Sequence, residues 1–273
     1  MTSSAHPHEV TDVLPVQTVA FSVTTTSPPR LDSGIDVSML DPGDRSTLNV
    51  LEDPNLDDTR CNDRLVVLVR TGKSWVRDYL TRSVSDARYT KRWRNYCVQH
   101  LSDWYLRYKD DKSLRVLSLL ASTPQSPVCD VAIYSLARAL KEVGDADEGL
   151  SRNTFRTMIA INLRSVGQSP EEIASKEGAI SALVLVGDHA FDQDVLLNAG
   201  NSSAPMGVRL AAISACAALR PDGAADFLRS QLQSAPNGGI IAKCILAALR
   251  KLSESPSQAE GMIDEKPHDE VRG

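Results

Sequence analysis

From residue 114 to residue 252, apolar residues recur every third or fourth position in runs of helical length. Short breaks carrying Pro, Gly, Asp or Ser divide one run from the next. That spacing gathers the apolar side chains on one helical face, and no convincing alternating stretch, the mark of a half-buried strand, interrupts it. The runs fall into pairs. Leu114 to Leu120 is followed, past Pro124 and Pro127, by Val128 to Val143. Phe155 to Val166 is followed, past Ser169-Pro170, by Glu171 to Val186. Phe191 to Asn198 leads through Pro205 to Met206 to Leu219, and Ala224 to Leu232 leads through Pro236-Asn237-Gly238-Gly239 to Ile240 to Leu252. Ser169-Pro170-Glu171-Glu172 supplies the capping hydroxyl, the first-turn proline and the acidic residues of a helix start. The pattern predicts an all-α chain built from helical hairpins.

The second helices of successive pairs align on small residues, and Trp93 to Leu101 joins the same register. The anchors Cys97, Ala132, Ala179, Ala212 and Cys244 lie 35, 47, 33 and 32 residues apart. Helices whose axes cross at about 8–10 Å need shallow side chains at the crossing, which is a physical reason for this choice of residues. Met206 to Leu219 is apolar on nearly every face apart from Arg209 and Ser214, so it needs cover on several sides, as an interior layer of a stack would. The alignment, above all Val208-Arg209-Leu210-Ala211-Ala212-Ile213-Ser214-Ala215, resembles the inner helix of the HEAT repeat, which typically reads V-R-x-x-A-x-x-A-L. The resemblance is weakest in the first unit, where Trp93 and His100 replace small aliphatic residues. It implies an armadillo-like α-solenoid of about five HEAT-like hairpins that binds other proteins along its groove.

Composition sets the boundaries. Residues 1–57 are rich in Ser, Thr, Pro and Asp with few large apolar groups, and they read as a mostly disordered arm. Val16 to Val23 has the makings of one strand but no second strand to pair with. Residues 58–252 form the expected repeat domain, and residues 253–273, with Pro256, Gly261 and Pro267, form a disordered tail. Charge follows the same division. Residues 1–60 carry 3 basic and 10 acidic groups, whereas residues 61–115 carry 13 and 6. The acidic arm is thus a candidate mask for the basic start of the folded part. No apolar run is long enough to span a membrane. No basic region precedes Val13 to Val23, which Pro15, Gln17 and Thr18 interrupt, so a signal peptide is not expected and the cytoplasm is the expected compartment. The five widely spaced cysteines, with no C-x-x-C, agree.

Candidate chemistry is thin. Arg70-Thr71-Gly72-Lys73-Ser74 ends like a phosphate-binding loop, but Val67 stands where that motif needs its first glycine. The histidines are His6, His8, His100, His189 and His268, with no metal-binding spacing. His100 falls at an inward helix position and reads as a hydrogen-bonded core residue. Asp188, His189, Asp192 and Asp194 lie at an inter-helix turn, where acidic groups cap helices. Cys61, near a helix start beside Arg60 and Arg64, is the one cysteine whose thiol has a reason to be acidified. No catalytic residue, cofactor site or metal site is assigned.

The richest cluster spans residues 75–108, which hold eight aromatics (Trp75, Tyr79, Tyr89, Trp93, Tyr96, Trp104, Tyr105, Tyr108) among many cations. Arginine and aromatic side chains anchor interfaces, and they also stack on bases and pair with phosphates. They equally fill the end of a core. The candidate interaction surface is Arg77, Arg88, Lys91, Arg92, Arg94, Trp104 and Arg107. Lys176 and Arg209 continue it, since with Arg94 they share one repeat position and suggest a ladder for an acidic partner. A non-catalytic protein-binding scaffold is the expected function. The alternative is a nucleic-acid binder that uses the basic, aromatic-rich first hairpin.

Overall fold

The computed structural model describes residues 35–53, 57–144, 149–236 and 238–254. Among them it contains a short 3-10 turn at Val37–Met39, twelve α-helices and no strand. The helices are α1 (Pro42–Leu51), α2 (Asp58–Val69), α3 (Ser74–Ser85), α4 (Lys91–Tyr108), α5 (Asp111–Ala121) and α6 (Cys129–Val143). They continue as α7 (Arg152–Leu163), α8 (Pro170–Val186), α9 (Asp192–Gly200), α10 (Met206–Leu219), α11 (Ala224–Ser234) and α12 (Ile240–Ser253).

Local sequence explains where these helices begin. The side chains of Asp41, Asp57, Thr90, Asp110, Ser151 and Ser169 each accept a backbone N–H of the first turn of the helix that follows. That relieves donors with no partner inside the helix. At Ser169 the hydroxyl accepts from the Glu172 N–H at 3.1 Å with Pro170 opening the helix, as expected from the sequence. Leu65 to Val69, the stretch that could pass for the strand of a phosphate loop, is instead the last part of α2.

Packing follows a simple order. The even-numbered helices form a continuous file, in which α2 touches α4, α4 touches α6, α6 touches α8, α8 touches α10 and α10 touches α12. Within each pair the preceding helix packs on its successor: α3 on α4, α5 on α6, α7 on α8, α9 on α10 and α11 on α12. The five aligned small residues sit on the file. Cys97, Ala132, Ala179 and Ala212 are completely buried, and Cys244, on the last described helix, is half-buried.

The amino-terminal boundary needs correction. Residues 35–53 lie within the stretch 1–57 assigned to a disordered arm, yet they form the 3-10 turn and α1. Leu40, Leu48 and Leu51 join the core. The Tyr79 hydroxyl donates to the Leu51 carbonyl at 3.1 Å, Lys73 Nζ lies 2.6 Å from Asp44 Oδ1, and Arg82 pairs with Glu52. Only three leucines carry the burial, and Pro42-Gly43 reads locally as a turn. The segment therefore gives almost no periodic signal until α3 offers it a surface. Residues 1–34, with Val16 to Val23, and the tail 255–273 lie outside the described residues.

Candidate docking surface

The aromatic residues of the first hairpins point mainly inward. Trp75, Tyr79, Trp93, Trp104 and Tyr105 are buried, and Tyr89 and Tyr96 pack against the core. Tyr108 is 38 % exposed, but its hydroxyl donates to the Val69 carbonyl at 2.9 Å and its ring lies 4.6 Å from that of Trp104. Trp104, at 4 % exposure, is therefore withdrawn from the interaction surface. An aromatic that fills the end of a core buries a large area at once, and that demand outweighs presentation to a partner.

The cations do not form one patch. Arg77 is held between Asp78 and Asp110, with N···O distances of 2.7 and 3.2 Å. Arg88 pairs with Asp86 two residues away. Arg92 reaches the Tyr96 hydroxyl and Thr59 Oγ1 at 3.1 and 3.2 Å. Lys91 and Arg107 are exposed, Lys91 at the start of α4 and Arg107 in its last turn. The ladder of Arg94, Lys176 and Arg209 is half-buried. Lys176 Nζ donates to the Ser165 carbonyl, just beyond the end of α7, at 2.7 Å. Burial lowers the Lys176 ammonium from its ordinary range. This lysine satisfies a helix-end carbonyl, where a cation also complements the dipole. The Nε atoms of Arg94 and Arg209 are buried without a partner among the described residues. Of the three, Lys176 is engaged within the chain, whereas Arg94 and Arg209 are half-buried with no ion pair among the described residues.

The other candidates are structural as well. His100 is 6 % exposed, with Nε2 2.9 Å from Asn62 Oδ1 and Nδ1 3.6 Å from Asp103 Oδ2. Asp188 is buried at the α8–α9 turn, where its carboxylate accepts Arg156 Nε at 2.8 Å, Arg156 Nη2 at 2.9 Å and the Ala190 N–H at 3.0 Å. Burial by itself would raise this carboxyl. The Arg156 fork, the Ala190 N–H and the nearby Arg152 outweigh it and hold Asp188 below the ordinary carboxylate range. Burial raises the Cys61 thiol despite Arg64, so the acidification that its helix-start position suggested is absent. Burial likewise pushes Cys129 and Cys216 up to about 12. Among the described residues no group of three His, Cys, Asp or Glu side chains could hold a metal ion, and no helix is long and apolar enough to cross a membrane.

Arg107 lines a pocket of about 330 Å³ with Arg70, His100, Asp103 and Glu142, and a larger groove lies farther along the file. That groove, of about 520 Å³, lies across α4, α6 and α8. Gln99 comes from α4, Asp130, Val131, Tyr134, Ser135 and Arg138 from α6, and Ala174, Glu177, Gly178 and Ser181 from α8. Gly178 sets its depth, because a Cβ there would meet Asp130 Cα at 3.0 Å, tighter than nearly all real contacts. The Glu177 side chain reaches over Gly207 of α10, where it occupies the place a Cβ would take. Tyr134 is 49 % exposed above this floor. The Arg138 charge is taken up by Asp103 and, at 3.7 Å, Glu142. The Asp130 and Glu177 carboxylates have no hydrogen bond or ion pair among the described residues. Sequence reasoning passed over these residues because no local motif contains them. The register held the signal: Asp130 and Glu177 both stand two positions before an anchor, and Tyr134 and Ser181 two positions after one.

No protein-family model matches the chain, and no curated protein and no solved structure matches it.

Proposed function

We propose that the protein is a non-catalytic α-solenoid of about five HEAT-like hairpins that docks a segment of another protein along its even-numbered helices. One observation carries this reading. Helices α4, α6, α8, α10 and α12 touch in unbroken succession, and each brings a small residue of the same register into the packing. Layers that nest this way leave their remaining side chains as a continuous surface, and the groove across α4, α6 and α8 is part of it. A surface of that kind suits recognition of an extended or helical segment. The alternative, nucleic-acid binding by the first hairpin, has lost the feature that suggested it. The aromatics there are largely buried, and Arg77 and Arg88 are paired with aspartates of the same chain, although Lys91, Arg92 and Arg107 stay exposed.

The test compares what the full chain captures with what two variants capture. Ser181→Trp fills the groove, and Ser230→Trp on α11 adds the same bulk away from it. Partners retained by Ser230→Trp and lost by Ser181→Trp support the reading. Equal capture by both variants rejects it. An electrophoretic shift of nucleic acid at low salt that vanishes at high salt would favour the alternative.

A further inference from the structure

The groove has a chemical preference that sequence reasoning did not anticipate. Its unneutralised charges are both acidic and lie on adjacent helices, Asp130 on α6 and Glu177 on α8. Gly178 lets α8 approach α6 closely at Asp130, and Glu177 is its neighbour in sequence. Like charges in one groove repel, and desolvation at a groove floor adds to the cost. Consistent with that, burial first and the Asp130 charge second push the Glu177 carboxyl above its ordinary range.

A second observation is independent of the acids. Ser135 lines the same groove, is 4 % exposed, and its hydroxyl has no hydrogen-bond partner among the described residues. The hydroxyl is not itself enclosed but opens on the groove, where it can donate to or accept from an occupant. Tyr134 supplies a half-exposed aromatic face, and Val131 and Ala174 supply apolar wall. Carboxylates, a hydroxyl and an aromatic face at the end of an apolar channel match a long cationic side chain, whose stem is apolar and whose head donates several hydrogen bonds.

We propose that this groove takes a basic segment of a partner protein, with one arginine or lysine side chain lying along Tyr134 and ending between Asp130 and Glu177. The occupant is thus the opposite in charge of the acidic partner suggested by the Arg94, Lys176 and Arg209 ladder. This inference rests on the docking reading above and narrows it to one chemistry. It sets aside the chain's acidic termini as occupants, since they share the sign of the groove.

The probe is a fluorescent peptide of alternating arginine and leucine, with a twin in which glutamate replaces arginine. Both are titrated into the full chain by fluorescence anisotropy. The arginine peptide binds and the glutamate twin does not. The double variant Asp130→Asn/Glu177→Gln binds the arginine peptide about tenfold more weakly or worse, the loss expected of one charge-assisted contact. Asp226→Asn, which removes an exposed acid from α11, leaves binding unchanged. The double variant keeps its helical circular dichroism and a cooperative melt, lowered by no more than the loss of the first-turn Asp130 charge of α6 would cause; weak binding therefore does not report misfolding. Three results overturn the proposal: no binding of the arginine peptide, equal binding by the double variant, or equal binding of the glutamate twin. If any of these occurs while Ser181→Trp still abolishes partner capture, the groove docks a partner of another chemistry. If Ser181→Trp also leaves capture intact, the docking reading itself falls.

Discussion

Asp188 shows how one side chain joins two elements. It sits just past the end of α8, is completely buried, and takes both arms of Arg156 from α7. Removing one partner of a buried pair leaves the other uncompensated, which costs about 3–5 kcal/mol when both are fully buried. Arg156 keeps 40 % of its side chain in solvent, so the cost of Asp188→Asn is discounted to about 2 kcal/mol. The effect depends on pH in a definite direction. The native carboxyl titrates below its ordinary range, so its stabilisation is complete above about pH 4, where the unfolded group is ionised. It is lost as the pH falls through the lower native value. Urea unfolding from pH 7 to pH 2 should therefore show a shallower acid decline for Asp188→Asn than for the wild type. Parallel curves would contradict the assignment. A sequence reading placed this aspartate at a turn but gave no means of finding Arg156, 32 residues away.

At the scale of the element, α10 tests the packing order most directly. It touches α8, α9 and α12, and Ala212 on it is completely buried. Ala212→Phe should overpack that position and lower stability by about 1–3 kcal/mol. Ser214→Phe on the same helix points to an exposed position and should stay within about 0.5 kcal/mol. Thermal unfolding of the two variants separates the cases, and equal melting temperatures would remove Ala212 from a helix crossing. This helix was legible in the sequence because its composition answers a local question. Fourteen residues with scarcely a polar face have to be covered. The groove on the neighbouring helices was not legible, because Asp130 and Glu177 are ordinary surface acids until Gly178 brings their helices together.

For the whole molecule, the ends of the file decide behaviour. A stack of repeats needs its terminal layers covered, or it associates through them. At the amino end α1 provides cover, burying Leu48 and Leu51 and bonding to Tyr79 and Lys73 of the α3 hairpin. A chain beginning at residue 57 should bind a hydrophobic dye and self-associate in light scattering. A chain beginning at residue 35 should stay dispersed. Identical behaviour of the two would mean that α1 is dispensable. The design of a masking experiment changes accordingly, since deletion of residues 1–57 would strip core contacts along with any mask.

The sequence by itself determined the helices from α5 onward, the Ser169 cap of α8, and the small residues carried by the file, since each depends on the period and size of neighbouring side chains. It also fixed His100 as an inward residue. Tertiary structure alone decided that α1 is part of the fold, that Trp104 fills the core, and that Lys176 is engaged by the Ser165 carbonyl. It alone placed Asp130 and Glu177 in one groove. Those outcomes turn on which surfaces meet across 30 or more residues of chain, as Arg82 with Glu52 and Arg156 with Asp188 do. No local pattern carries the distance of closest approach between helices, and that distance determines whether a charge is paired, buried or left for a partner.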